Sequence, residues 1–176
     1  IVALCSVGIL NAHAENVAIA KSSLVGDGIV EFVPQGFDQT KTPSLILKEE
    51  PTAKGSVPSD WELYPQFTVV DGKANASLSL TGEISLYGGG EVTGPLLRNG
   101  QYIKLWNTDT GAYGVDGGKR LYQSHPWVLG VRRDGSAFGI LFDSSWKSEL
   151  HTNSDKIEFN TEGALFRIYI IDRESP

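Results

Sequence analysis

Two dipeptides, Asp71-Gly72 and Asp134-Gly135, each stand between runs of alternating apolar residues: QFTVV before and KANASLSL after the first, WVLGVRR before and SAFGILF after the second. Such a pair at the middle of two strand-like runs specifies a tight reversal, because Gly supplies a positive φ without steric cost and Asp tolerates one. The pattern constrains the chain to antiparallel β structure. From Gly28 onward no stretch sustains apolar residues at i, i+3, i+4 and i+7 over three turns, so nothing offers the helix that a parallel crossover would need. A third hairpin is expected between KIEFN and ALFRIYII, turning through Thr161-Glu162-Gly163. The 20 Gly and 8 Pro are spread along the sequence rather than gathered in a linker, the mark of many short strands joined by turns. The expected fold is an all-β antiparallel sandwich in one domain, which 176 residues at 40% hydrophobic content can supply with a core. Lys48 to Asp60, KEEPTAKGSVPSD, reads as a polar loop.

The first fourteen residues, IVALCSVGILNAHA, lack any Asp, Glu, Lys or Arg and close on Ala12-His13-Ala14, the small-x-small pattern of a signal-peptidase site. Residues 1–14 are therefore expected to be a partial signal peptide, its start missing, and 15–176 the mature sandwich, secreted or periplasmic and free of the membrane after cleavage. The one cysteine, Cys5, would leave with the leader, so disulfides and thiolate metal sites are not expected. The closing FRIYIIDRESP breaks off without a final element, and truncation is expected there.

The net charge is −6, with Lys119-Arg120 and Arg132-Arg133 as isolated basic pairs, which argues against a nucleic-acid partner. The run Gly88-Gly89-Gly90 does not complete a dinucleotide fingerprint, since Thr93 stands where the third glycine belongs, and in GVDGGKR the Walker pattern fails at Tyr113 and Arg120. The three glycines are expected to mark a bulge or strand end. No metal or other cofactor is expected: beyond the leader only His125 and His151 remain, 26 residues apart. His125 is expected to be a packed or hydrogen-bonded strand-edge residue.

Two residue classes suit sugar chemistry. Glu91, Asp109, Asp116 and Asp143 are carboxylates in the aromatic-rich half, and a glycosidase needs two of them about one bond; sequence does not pair them. Tyr87, Tyr102, Trp106, Tyr113, Tyr122, Trp127 and Trp146 could stack on sugar rings, but sandwich cores are also built from aromatics, and core packing is the expected role of each.

Tyr87 to Leu150 carries five pieces in order: Y-G-G-G-E at Tyr87 to Glu91, an L-x-x-x-G segment at Leu96 to Gly100, W-N-T-D at Trp106 to Asp109, L-Y-Q-S-H-P at Leu121 to Pro126, and D-G-S-A-F-G-I-L-F-D-S-S at Asp134 to Ser145. This order resembles the N-terminal domain of glycoside hydrolase family 31, the α-glucosidase and α-xylosidase family. The resemblance implies a galactose-mutarotase-like sandwich that packs on a (β/α)8 barrel carrying both catalytic aspartates, beyond Pro176. It thus implies the front part of an exported retaining α-glycosidase acting on an oligosaccharide or glycoside, with no catalytic residue in the fragment itself. By the same resemblance, the loop Asn107-Thr108-Asp109-Thr110 reaches the active-site mouth. There Asp109, flanked by Thr108 and Thr110, would hold sugar hydroxyls, with Glu91, Arg98 and Asn107 supporting the loop. Asp109 could equally cap its own turn. A stand-alone carbohydrate-binding module and an aldose epimerase on the same fold are the other readings, the epimerase lacking motifs around its two histidines.

Overall fold

A computed structural model describes residues 16–45, 49, 51–109, 111 and 116–175. The leader, Thr110 and Tyr113 lie outside them. Among the described residues there are twelve strands and no α-helix: β1 Asn16–Ala18, β2 Ala20–Gly26, β3 Ile29–Pro34, β4 Gln66–Val70, β5 Lys73–Ser79, β6 Ile84–Gly90, β7 Gln101–Leu105, β8 Ser124–Arg132, β9 Ala137–Asp143, β10 Ser148–Thr152, β11 Lys156–Thr161 and β12 Arg167–Arg173. They form two six-stranded sheets, ordered β1-β4-β5-β11-β10-β7 and β2-β3-β12-β9-β8-β6. Every pairing is antiparallel.

The alternation of each strand sends one set of side chains between the sheets. From the first sheet these are Phe67, Leu78, Ile103, Leu150, Ile157 and Phe159; from the second, Val30, Leu86, Val128, Ile140, Phe142 and Ile168, all buried in one cluster. Phe142 of β9 stacks on Phe159 of β11 with centroids 4.5 Å apart, and Phe166 sets its edge against Phe159 at 5.1 Å and Phe67 at 5.9 Å. Burying each such ring contributes about 1.5–3 kcal/mol. The sandwich expected from the alternation is the fold observed.

The turns differ in detail. At the β4–β5 reversal both Asp71 (φ 50°) and Gly72 (φ 76°) are left-handed and Val70 faces Lys73, as a two-residue type I′ turn requires. The β8–β9 reversal is longer. Arg132 N–H donates to Ser136 O at 2.8 Å and Gly135 N–H to Arg132 O at 3.0 Å, so Arg133, Asp134 and Gly135 form a three-residue loop with only Gly135 left-handed (φ 90°). The third expected hairpin does not form. β11 pairs with β5 and β10, whereas β12 pairs with β3 and β9 of the other sheet. Residues 162–166 cross between the sheets and deliver Phe166 to the core. Strand β11 instead makes a hairpin with β10, closed by Asn153 N–H to Lys156 O at 2.8 Å.

The outer face of the second sheet is covered around Arg167 and Asp143. Phe37 lies against the Arg167 guanidinium at 5.1 Å, Leu45 N–H donates to Asp143 Oδ1 at 2.7 Å, and the Trp146 indole N–H donates to Lys41 O at 3.2 Å. Beneath this 37–45 strap Arg167 and Asp143 are buried, and Glu31 is buried beside Arg167. Arg167 Nη1 is 3.4 Å from Glu31 Oε1 and its Nε is 3.9 Å from Asp143 Oδ2, while the Tyr169 hydroxyl donates to Glu31 at 2.7 Å. The 51–60 loop shields the edge of β2, where Leu24 N–H donates to Gly55 O at 3.0 Å and Lys54 N–H to Leu24 O at 2.7 Å.

Candidate functional site

Strand β6 ends in Gly88, Gly89 and Gly90, with φ of 114°, 80° and 87° and a shift of register against β8. A Cβ at Gly88 would sit 2.3 Å from Trp127 O, and one at Gly90 2.5 Å from Gln123 O, so no larger residue fits this bulge. The expected bulge is what forms. It throws the chain outward into the 91–100 segment, and Arg98 fastens that segment back. The Arg98 side chain is buried, its Nε donating to Gly88 O at 3.2 Å and its Nη1 to Pro95 O at 2.7 Å. Its own carbonyl accepts from the Thr152 hydroxyl.

The 91–100 segment in turn holds the long connection between β7 and β8, residues 106–123. Glu91 N–H donates to Gln123 O at 2.9 Å, and Glu91 Oε2 accepts from Tyr122 N–H at 3.2 Å. Thr93 N–H donates to Gly118 O at 3.0 Å, and the Thr93 hydroxyl to Gly117 O at 2.8 Å. Within the connection, Thr108 N–H donates to Leu121 O at 2.9 Å, with Leu121 buried. A connection of this length that is tied down at its base is the usual form of a binding loop.

On this scaffold Trp106 follows buried Leu105 and is half exposed, Asn107 and Asp109 are exposed, and Thr108 is partly buried. Among the described residues nothing donates a hydrogen bond to the Asp109 carboxylate. Asp116 opens a short 3-10 turn, Asp116–Gly118, in the same connection. Asp143 belongs elsewhere: it is buried with Arg167 beneath the strap and is not a sugar-facing carboxylate. The core role expected of the aromatics is overturned for Trp106, Tyr122 and Trp146, all exposed, while Tyr87, Tyr102 and Trp127 are partly buried. Trp106, Tyr122 and Trp146 belong to connections rather than strands, and Trp146 lies between Gly163 and the Lys41 carbonyl. His125 is exposed near the start of β8, and His151 on β10 meets the Tyr102 ring at 4.8 Å. The described residues hold no group of three metal-binding side chains and no helix long and apolar enough to cross a membrane.

Beside Trp106 the outer face of the first sheet is open. A cleft of about 490 Å³ there is lined by Trp106, Lys104, Glu149, Asn160, Asn75 and Arg120, among others. Sequence reasoning missed it, since Asn75, Asn160 and Glu149 sit on three strands and are adjacent only through register.

Residues 23–150 match the family described as the glycosyl hydrolase 31 N-terminal galactose mutarotase-like domain. The chain is 32% identical to alpha-glucosidase 2 of Bacillus thermoamyloliquefaciens over 92% of its length, and 29% identical to the alpha-xylosidase XylQ of Lactiplantibacillus pentosus over 71%. It spans 22% and 16% of those two relatives. Among solved structures it is similar to the family 31 alpha-glucosidase of Bacteroides thetaiotaomicron, with 68% identity and a TM-score of 0.55 over 61% of this chain and 18% of that one. The Flavobacterium johnsoniae GH31 dextranase shares the fold at 19% identity, with a TM-score of 0.65 over 92% of this chain and 26% of that one. The glycine bulge and the anchored 106–123 connection thus fall within one matched region, and the chain belongs to the glycosyl hydrolase 31 N-terminal galactose mutarotase-like domain family.

Proposed function

We propose that this chain is the N-terminal, substrate-shaping domain of an exported family 31 α-glycosidase, which hydrolyses α-glycosidic bonds in oligosaccharides or glycosides. The carboxylates that perform the reaction lie in a barrel of the same polypeptide, on which the sandwich packs, and residues 1–14 direct export. Asp109 orients a sugar at the active-site mouth, with Thr108 and Thr110 beside it. Glu91, Arg98 and Asn107 hold the loop in place.

One observation carries this reading: Asp109 is exposed on a long connection whose base is fixed by Glu91 and Thr93, and its carboxylate takes no hydrogen bond from a described residue. An anchored acceptor of this kind binds neutral hydroxyls through charge-assisted hydrogen bonds. In the full-length enzyme, Asp109→Ala is expected to lower kcat/KM by roughly 10- to 100-fold, about 1.5–3 kcal/mol of transition-state binding, with the melting temperature nearly unchanged. A variant that melts several degrees lower but retains its kcat/KM would assign Asp109 to a turn cap instead. The isolated chain is expected to be inactive on aryl α-glucosides.

The exposed Trp106 and Tyr122 favour a second reading, a sugar-binding module that works without a barrel. The sequence encoded after Pro176 separates the two.

A further inference from the structure

Four outward side chains line up across the first sheet. Asn75 of β5 faces Asn160 of β11, Asn160 faces Glu149 of β10, and Glu149 faces Lys104 of β7. Their neighbours along each strand, Ala74 and Ala76, Phe159 and Thr161, Ser148 and Leu150, Ile103 and Leu105, are all buried, so the four belong to the opposite face. With strands about 4.8 Å apart, the row runs about 14 Å. It forms the floor of the 490 Å³ cleft, and Trp106, the residue after β7, stands half exposed in the wall.

We infer that this row binds a neutral oligosaccharide of two or three hexose units, at a site separate from the Asp109 loop. Three properties of the cleft lead there. First, Asn75 and Asn160 are partly buried, and neither side-chain amide has a hydrogen-bond partner among the described residues. Each offers both a donor and an acceptor, and a sugar hydroxyl satisfies both. Second, the lining charges nearly cancel: Lys73, Lys104, Arg120 and Lys147 stand against Asp71, Glu149 and Glu162, and Lys147 and Glu162 pair at 2.7 Å. A polyanion gains little from such a field, and an uncharged ligand loses nothing. Third, an indole face beside a row of hydrogen-bonding groups matches a pyranose, which has an apolar C–H face and a polar edge. The volume lies within the roughly 300–1,000 Å³ of small-molecule sites.

The inference does not depend on the Asp109 reading: the cleft adjoins that loop through Lys104, Trp106 and Arg120, but the amides that carry it, Asn75 and Asn160, stand on β5 and β11. The test is a titration of the 176-residue chain with maltotriose and isomaltotriose, and separately with inorganic phosphate, followed by ¹H–¹⁵N correlation spectra. Saturable shifts are expected at the side-chain amides of Asn75 and Asn160 and at the Trp106 indole for at least one sugar, with Kd on the order of 1 mM. The double variant Asn75→Ala/Asn160→Ala should weaken binding about tenfold or more while its spectrum stays dispersed. Trp106→Ala should weaken it as well. Absence of saturable shifts with either sugar, shifts confined to residues 106–111, tighter binding of phosphate than of sugar, or a folded double variant that binds as well as the parent would each overturn the assignment. Asp109→Ala should leave this binding unchanged, so failure of one site does not imply failure of the other.

Discussion

The two sheets turn very different outer faces to their surroundings. On the second sheet the 37–45 strap lies over Arg167 and Asp143, each 1% exposed, with Glu31 buried beside Arg167 and Tyr169 at 6%. On the first sheet the corresponding positions, Asn75, Asn160, Glu149 and Lys104, line an open cleft. Both faces arise from the same alternation, which settles only which side chains leave the core. What the chain lays over them decides whether those side chains become a fixed ionic cluster or a surface ready for a ligand. Charge on the closed face must be satisfied by protein, because burial removes it from bulk solvent. The partly exposed amides of Asn75 and Asn160 on the open face lose little by waiting for a partner.

The sharpest way to break this contrast is Arg167→Ala. It leaves Glu31 and Asp143 buried without their shared cation, and a loss of about 3–5 kcal/mol is expected, read from urea unfolding midpoints. Adding Glu31→Gln to that variant should restore part of the loss, since one uncompensated charge disappears. If Arg167→Ala unfolds within 1 kcal/mol of the parent, the closed face is not the stability-bearing one.

A smaller effect distinguishes the faces by pH. Burial, with the hydrogen bond to Glu31 next, pushes the Tyr169 phenol well above its ordinary value of 10.0. Below pH 10 the tyrosine is protonated in both folded and unfolded chains, and its contribution is complete. Above pH 10 the unfolded chain releases the proton while the folded chain keeps it, so stability falls as pH rises. The slope approaches about 1.4 kcal/mol per pH unit. Unfolding midpoints at pH 9, 10 and 11 should show this fall in the parent and lose that component in Tyr169→Phe. Equal pH dependence in the two proteins would mean that the phenol is not held neutral by the closed face.

Some of this was legible in the residues and some was not, for physical reasons. Asp71-Gly72 could be read because a type I′ turn is a local requirement on two adjacent φ angles. The Gly88 to Gly90 bulge could be read because three glycines in a strand have few other uses. The crossing of residues 162–166 between sheets could not, since a short turn-like spacer looks alike whether the next strand folds back or changes sheet. The Glu31–Arg167 pair is closed across 136 positions, and no local pattern announces it. Asp143 misled for the same reason: a carboxylate among aromatics looks chemical until Leu45 and Arg167 are seen around it. The W-N-x-D loop was located by motif, while the Asn75-Asn160-Glu149-Lys104 row depends on strand order and register.

The smallest effect is the most discriminating for the open face. Asn160→Ala removes a partly buried amide that has no hydrogen-bond partner among the described residues, on a strand whose packing is supplied by Ile157 and Phe159 on the other side. Among the described residues no intramolecular hydrogen bond is lost, no buried group is left unpaired and no core cavity is opened. The named sources of large destabilisation are therefore absent, and the change should stay within about 0.5 kcal/mol, a shift of roughly 1–2 °C in melting temperature for a domain of this size. Ala in place of Asn also raises no backbone conflict, since position 160 lies in regular strand opposite Asn75. A drop of several degrees in thermal unfolding would show that the amide is satisfied by the protein after all. The open face would then be structural like its counterpart, and the contrast between the two sheets would collapse.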